Sequence, residues 1–114
     1  MPIFSRKNGR YFVSYVTGPS HVLLGLSFGS PSTQPVIVRL ARAGHCDHGP
    51  LDEARIREAV MAGVATASVQ LHPVEIVYCE GDSPRYELYR RCGYVLAQRV
   101  ASGAEFPESH DNAA

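Results

Sequence analysis

The stretch from Pro73 to Tyr94 constrains the fold of this chain more than any other. It opens with Val74 to Cys79, a nearly continuous apolar run rich in β-branched residues, which is typical of a central strand covered on both faces. A turn bearing glycine and proline follows, and we expect Ser83 and Pro84 to begin a short helix. Gly93 comes after the last helical residues and suits a left-handed C-terminal cap. The stretch therefore predicts a strand, a turn and a helix around which the chain packs.

Three more strands are predicted nearer the N-terminus, from alternating apolar residues and turn signals. Their ranges are Arg10–Thr17, His21–Phe28 and Val36–Ala41. The first two are separated by a Gly-Pro-Ser turn and form an antiparallel hairpin, and the third continues it as a meander. Asn8-Gly9 is a further hairpin signal, although the apolar pair before it, Ile3-Phe4, is too short a run to predict an edge strand.

The longest helix is predicted from Leu51 to about Leu71, because apolar and small residues recur there at helical spacing. The stripe is Ile56, Val60, Gly63, Val64, Ala67 and Leu71. Tyr94 to Val100 fits a helix or a strand equally well by alternation, and the break at Gly93 favours a strand. The predicted fold is α/β (α+β), with the order β-β-β-α-β-α-β. Its mixed sheet has an antiparallel N-terminal meander, a parallel crossover and helices on its faces.

Length and composition limit the class of protein. We expect residues 1–100 to form a single domain and 101–114 a flexible C-terminal tail. Eleven basic and eleven acidic residues give zero net charge, which argues against nucleic-acid and anionic-membrane binding and favours self-association. No apolar run approaches the ~18 residues that a membrane span needs. Three cysteines and no signal peptide predict a cytoplasmic location.

The segment from Asp82 to Tyr94 resembles the C-terminal motif of the GNAT acetyltransferase superfamily. A Leu88-Tyr89 pair is followed by three residues and then Gly93-Tyr94, and the resemblance covers about residues 51–100. It implies a GNAT-like architecture, acetyl-coenzyme A as cofactor, and Tyr89 as general acid towards the leaving thiolate. The loop before the long helix, with Gly44 and Gly49, would then hold the pyrophosphate.

The order of elements is also similar to that of ribonuclease H-like domains, which gives an alternative topology. Such enzymes hold divalent metal with carboxylates on the first strand. The strand Arg10–Thr17 has no aspartate or glutamate, so the catalytic form of this alternative is not supported.

His45, Cys46 and His48 form the densest group of potential metal ligands in the chain. Two histidines three residues apart, with a thiol between them, can coordinate zinc. The thiol could also be a nucleophile activated by the imidazoles. The alternative is an ordinary polar loop in which Asp47 or His48 caps the following helix.

Glu80, Asp82 and Ser83 follow the central strand at its C-terminal end, where open α/β sheets bind ligands. The alternative is a turn with solvated carboxylates. These residues, with Gly44 and Gly49, are the candidate ligand-binding set.

The leading functional prediction is a small non-enzymatic module that binds a ligand or a protein and forms a homo-oligomer. No catalytic set is complete, because Asp52 and Glu53 would repel a phosphate at the long helix and Pro50 removes a backbone donor. No cofactor is expected on this interpretation. The first alternative is a reduced acyl-coenzyme A-dependent N-acyltransferase, and the second is a metal-dependent enzyme using the His45–His48 loop.

Overall fold

A computed structural model describes residues 2–17, 20–30, 34–41 and 50–107, without the side chains of Thr17 and Ser20. These residues form an α+β fold of five strands and two helices. The bounds are β1 (Pro2–Lys7), β2 (Arg10–Thr17), β3 (Ser20–Phe28), β4 (Val36–Leu40), α1 (Glu53–Thr66), β5 (Pro73–Cys79) and α2 (Tyr86–Ala101). The strands predicted from periodicity are confirmed to within one or two residues at their ends.

The five strands form one mixed sheet in the order β1-β2-β3-β5-β4. β4 runs parallel to β5, so the predicted crossover through the long helix is confirmed. The prediction that β4 extends the meander is wrong, because β3 pairs with β5 instead. β5, with its nearly continuous apolar run, takes the inner position, where Ile76 and Val77 are fully buried. β4 carries exposed Val36 and Arg39 at the sheet edge.

The hairpin signal at Asn8-Gly9 is confirmed, and the strand before it is longer than Ile3-Phe4. Asn8 and Gly9 have φ angles of +53° and +76°, the left-handed backbone that a two-residue hairpin turn requires. Lys7 pairs directly with Arg10 across this turn. The hairpin therefore adds β1 as a fifth strand, and β1, β2 and β3 form the antiparallel meander.

Both described helices pack on the same face of the sheet. One buried cluster joins alternate strand residues to the inner sides of α1 and α2. Its fully buried members include Val13, Val22, Leu24, Leu26, Ile56, Val60, Ile76, Tyr89, Leu96 and Ala97. The prediction of helices on more than one face is therefore wrong for the described residues. The chain is a two-layer domain whose second sheet face has no described helix on it.

Helix α1 is shorter than predicted. It begins after Asp52, whose Oδ1 accepts a hydrogen bond from the backbone N–H of Arg55 at 3.2 Å. It ends at Thr66 and not near Leu71, because Ser68 has a φ of +56° and leaves the helical region. The predicted buried stripe is confirmed for the helical residues Ile56, Val60, Gly63 and Val64.

Helix α2 continues where the sequence predicts a break. Gly93 lies inside the helix and is not a C-terminal cap, and residues 94–100 are helical and not a strand. The observed order is therefore β-β-β-β-α-β-α. The start is also later than predicted, because Arg85 is the N-terminal cap residue and makes no side-chain capping bond. Ser83 does not cap this helix, since its hydroxyl oxygen accepts a hydrogen bond from the backbone N–H of His21 on β3.

The two helices touch through glycine. A Cβ on Gly63 would collide with the carbonyl oxygen of Arg90, and a Cβ on Gly93 would lie 2.9 Å from the carbonyl oxygen of Val60. Glycine alone lacks the Cβ that would separate backbones this close. This close helix–helix contact explains why position 93 is glycine although α2 continues through it without a turn.

The residues after α2 return to the sheet edge. The Phe106 ring lies edge-on to Phe4 and Tyr11, at centroid distances of 5.8 and 4.9 Å. The backbone N–H of Arg6 donates to the carbonyl oxygen of Pro107 at 2.9 Å. Phe106 and Pro107 of the predicted tail thus contact β1, and residues 108–114 lie outside the described ranges.

Candidate functional site

Asp82 is the one charged residue that is fully buried among the described residues. It lies in the turn after β5, where its backbone N–H donates to the carbonyl oxygen of Cys79. One carboxylate oxygen, Oδ2, accepts from the backbone N–H of Leu23 at 2.7 Å. The other oxygen, Oδ1, lies 3.1 Å from Nε2 of His21. Bonds of this kind satisfy a buried carboxylate, which would otherwise be costly to remove from water.

Ser83 continues the same connection. Its hydroxyl oxygen accepts from the backbone N–H of His21 at 3.1 Å, and its own N–H donates to the His21 carbonyl oxygen at 3.1 Å. β5 ends at Cys79, so the side chains of Asp82 and Ser83 take over the bonds that a longer strand would have made to β3. We call His21, Asp82 and Ser83 the Asp82 edge.

The Asp82 edge contains a carboxylate-oriented imidazole. The His21 side chain is 40% exposed, whereas that of Asp82 is only 2% exposed. A buried carboxylate that holds one ring nitrogen fixes the direction of the other, as in general bases and metal ligands. A metal needs further donors, however, and no group of three histidine, cysteine, aspartate or glutamate side chains comes together in the described parts of the chain.

His21 is not among the site residues predicted from the sequence, because only strand pairing brings it to Asp82. The two residues are 61 positions apart, and no local motif links them. Glu80, which is predicted as a site residue together with Asp82 and Ser83, is more exposed and lies 3.8 Å from the guanidinium of Arg39. The structure therefore groups Asp82 and Ser83 with His21.

Tyr89, the predicted general acid, is completely buried in the core. Its hydroxyl has no hydrogen-bond partner in the described part of the chain. Burial, and secondarily the negative charge of Asp82, hold the pKa of this phenol far above its ordinary value. The hydroxyl is therefore neutral at physiological pH, and contact with a substrate requires the core around it to open.

The N-terminus of α1, the predicted pyrophosphate site, is filled by the chain's own residues. The Asp52 carboxylate accepts from the helix backbone, and the backbone N–H of Asp52 donates to the Tyr86 hydroxyl at 3.0 Å. The Tyr78 hydroxyl donates to the Glu53 carboxylate at 2.7 Å, and burial together with this bond raises the pKa of Tyr78 to about 12. Two carboxylates at this terminus do not fit a pyrophosphate, which needs free donors and positive charge.

Gly44, His45, Cys46, His48 and Gly49 lie outside the described residues. The metal-binding and nucleophile hypotheses for this loop therefore stay predictions.

A different surface emerges from the fold, which we call the helix-free face. It is the side of the sheet opposite the helices, and its apolar residues include Ile3, Phe12, Val16, Leu23, Val36 and Val38. Ile3, Val16 and Val36 are the large hydrophobic residues most exposed to solvent in the described chain, at 66%, 51% and 61%. All three lie on this face. The sequence of β2 already indicated a second apolar face of the sheet, because apolar residues occupy both sides of that strand.

The centre of the helix-free face is closed by its own side chains. The Phe12 ring lies directly over Gly25, which has no Cβ and makes room for it. Val77, the next residue across the sheet from Gly25, is fully buried. An aromatic ring that covers a cross-strand glycine stiffens a sheet at a point where it has no side chain.

A polar group crosses the face beside this apolar centre. Arg10 donates from two nitrogens to the two carboxylate oxygens of Glu75, at 3.0 and 3.2 Å. The Ser27 hydroxyl also donates to Glu75, at 3.1 Å. The hydrogen bond from Arg10 is the main reason why the pKa of Glu75 is lowered. The two charges on this part of the face are therefore matched within the chain.

A cavity of about 360 Å³ opens on the same face, and Lys7, Phe12, Leu23 and Leu40 are among the residues that line it. Its walls come from four strands, so it is a concavity of the sheet surface and not a gap between helices.

No protein-family model, curated protein or solved structure matches this chain. In the described ranges, no helix combines the length and the apolar character needed to cross a membrane. The class that the fold itself defines is a small two-layer α+β domain with one sheet face free of described helices.

Proposed function

We propose that this chain is a small, non-enzymatic protein-binding module and that the helix-free face is its binding surface. One observation carries this proposal. The three most exposed large hydrophobic residues of the described chain, Ile3, Val16 and Val36, all lie on that face. Ile3 and Val36 lie on the two edge strands, and the half-buried side chains of Phe12, Leu23 and Val38 lie between them on the same face. Single exposed apolar residues are ordinary on a protein surface, but apolar side chains that extend across a whole face are typical of interaction sites.

The rigidity of the face supports the same proposal. Phe12 is held over Gly25, and Arg10 and Glu75 are joined by two hydrogen bonds. A surface whose side chains are already fixed loses less conformational entropy when a partner covers it.

The Asp82 edge has a structural role that is sufficient to explain its residues. Asp82 and Ser83 satisfy the backbone N–H groups of Leu23 and His21, which β5 is too short to reach. A buried carboxylate used in this way ties β3 to the start of α2. We therefore place the binding function on the sheet face and the stability of the fold at this edge.

Affinity purification from the native cell, with a tagged chain, tests the proposal. The wild-type chain should retain a protein partner, which can be a second copy carrying a different tag. Val36→Lys places a charge on the helix-free face and should release that partner. Ala54→Lys adds the same charge at an exposed position of α1 and should retain it. Equal retention by both variants would contradict the proposed surface.

An acyl-coenzyme A-dependent transferase is the second candidate, and the Tyr89 hydroxyl, which has no hydrogen-bond partner among the described residues, favours it. A buried polar group without a partner is often a group that function uses. Acetyl-coenzyme A at millimolar concentration should then raise the melting temperature, because a ligand that binds only the folded state stabilises it. An unchanged melting temperature would exclude this candidate.

A further inference from the structure

The Phe106 side chain occupies a surface at the β1 edge, on the helix side of the sheet. Its ring lies edge-on to Phe4 and Tyr11. The guanidinium of Arg99 lies 4.3 Å from the centroid of the Phe4 ring and 5.2 Å from that of Phe106. We call the surface formed by Phe4, Tyr11, Arg99 and the outer backbone of β1 the Phe106 seat. Edge-on rings beside a cation favour an aromatic side chain over an aliphatic one.

The backbone groups around this seat hold a chain in an extended form. The N–H of Arg6 donates to the carbonyl oxygen of Pro107 at 2.9 Å, and Nη2 of Arg99 donates to the carbonyl oxygen of Glu105 at 2.7 Å. Alternate residues of an edge strand direct their N–H and C=O groups outward, so Phe4 presents these groups on the same side as Arg6. Main-chain bonds to a strand edge are a common way of binding a peptide.

The C-terminal segment of the chain fills this seat only in part. Of residues 102–107, Phe106 alone is half-buried and the others are exposed. An open groove of about 620 Å³ lies beside the segment, and Phe4, Arg99 and Ala104 are among the residues that line it. Nε of Arg99 is buried and has no hydrogen-bond partner among the described residues. A buried donor without an acceptor is costly, so a ligand that supplies an acceptor has an advantage over the present segment.

We propose that the Phe106 seat binds an extended peptide of a partner protein, which displaces the chain's own C-terminal segment. The peptide that fits has an aromatic ring at the position of Phe106 and a carboxylate two positions before it, where Ala104 lines the groove beside Arg99. The carboxylate accepts from Nε of Arg99, and such charge-assisted bonds are about twice as strong as neutral ones. The C-terminal segment is then a built-in competitor that keeps the seat closed until such a partner is present.

This surface is separate from the helix-free face, because Phe4 packs with the helices on the other side of the sheet. The inference therefore goes beyond the proposed binding function and does not depend on it.

A nuclear magnetic resonance titration of the full chain tests the inference with two synthetic peptides, blocked at both ends. One has the sequence of residues 102–107, and the other carries Ala104→Glu. The protein variant Phe106→Ala, whose seat lacks its ring, should bind both peptides with shifts at the N–H of Arg6 and at Nε–H of Arg99. The glutamate peptide should bind about tenfold more tightly, because it supplies the missing acceptor.

The wild-type chain should bind each peptide at least about tenfold more weakly than Phe106→Ala does, because its own segment leaves the seat open in about a tenth of the molecules or fewer. A control peptide with alanine in place of the phenylalanine should not bind. Val36→Lys, added to Phe106→Ala, should leave binding unchanged because it lies on the helix-free face. A failure of the proposed function therefore does not alter this result.

Three results would overturn the inference. Absence of shifts in a folded Phe106→Ala chain would mean that Phe106 is ordinary packing. Equal binding by the wild type and Phe106→Ala would mean that the segment does not compete for the seat. A glutamate peptide that binds no more tightly than the other would mean that Arg99 does not select a carboxylate. If Phe106→Ala does not fold, the wild type decides, since millimolar glutamate peptide should still shift Nε–H of Arg99 and an unchanged resonance contradicts the seat.

Discussion

The backbone N–H of Leu23 donates to Oδ2 of Asp82 at 2.7 Å, and this bond joins two segments that are 59 residues apart in the chain. It lies where β5 has ended and β3 still needs partners. The Asp82 carboxylate therefore accepts the hydrogen bond that a backbone carbonyl oxygen of a longer β5 would accept. The stability of the sheet therefore depends on one side chain in a turn.

Two substitutions of Asp82 should show whether its hydrogen-bond acceptor or its negative charge stabilises the fold. Asp82→Asn keeps an oxygen for Leu23, whereas Asp82→Ala leaves a buried N–H without a partner, which costs about 1–3 kcal/mol. Urea unfolding should therefore find the alanine variant less stable than the asparagine variant. Ser83→Ala is the control, because it removes only the bond from the N–H of His21. Equal stability of the two Asp82 variants would contradict this role.

Gly63→Ala should destabilise the protein although alanine is the better helix former. The new Cβ would collide with the Arg90 carbonyl oxygen, and forcing extra atoms into a packed contact costs about 1–3 kcal/mol. The intrinsic preference of a helix for alanine over glycine offsets about 1 kcal/mol of that cost. Ala62→Gly, at an exposed position of the same helix, measures this preference alone. A stabilised Gly63→Ala variant would disprove the close helix contact.

The Arg10–Glu75 ion pair should make the free energy of unfolding depend on pH in the acidic range. The folded-state pKa of Glu75 is lowered, so its contribution is present above the unfolded value of about 4.3 and is lost as the pH falls through the folded value. Glu75→Gln should flatten the curve of unfolding free energy against pH in this range. The effect should be small, since partly exposed ion pairs contribute about 1 kcal/mol or less.

Ser27→Ala is the matched control for that experiment. It removes one hydrogen bond to Glu75 but keeps both bonds from Arg10, so most of the acid-side dependence should persist. A curve that Glu75→Gln leaves unchanged would show that the pair is not formed in solution.

Removing the hydroxyls of Tyr89 and Tyr78 should have opposite effects. Tyr89→Phe removes a buried hydroxyl that has no partner among the described residues, so the stability should stay the same or rise. Tyr78→Phe removes the bond to Glu53 and should cost about 0.5–1.5 kcal/mol. Thermal or urea unfolding measures both variants. A clear loss of stability in Tyr89→Phe would reveal a partner in the remainder of the chain.

The cysteines should differ in reactivity. Burial raises the pKa of Cys92 to about 12, so its thiol is protonated and shielded at pH 8, whereas Cys79 is half-buried. Iodoacetamide followed by peptide mass mapping should label Cys79 faster than Cys92 in the folded protein. In urea the two rates should become similar. Rapid labelling of Cys92 without denaturant would contradict its place in the core.

Much of the local structure could be predicted from the sequence. Apolar residues in alternating or continuous runs located β2, β3, β4 and β5, and the Asn8-Gly9 pair marked the first hairpin. Helical spacing identified the buried side of α1. These features depend on neighbouring residues, since side chains alternate across a strand and repeat every third or fourth position in a helix.

The sequence could not distinguish the two roles available to Gly93. A glycine can end a helix in a left-handed conformation, or it can let another backbone approach closely. Only the position of the Val60 carbonyl oxygen, on a different helix, selects the second role. The strand predicted after Gly93 is wrong for that reason.

The sequence by itself determined β2 to β5, the buried side of the first helix and the burial of β5, because these follow from local runs and spacings of apolar residues. The tertiary structure decided that β5 lies between β3 and β4, that His21 meets Asp82, and that both described helices share one face. Each of these relations joins residues far apart in the chain. These relations depend on which surfaces can be buried together. A local sequence pattern does not specify which distant segment will pack against it.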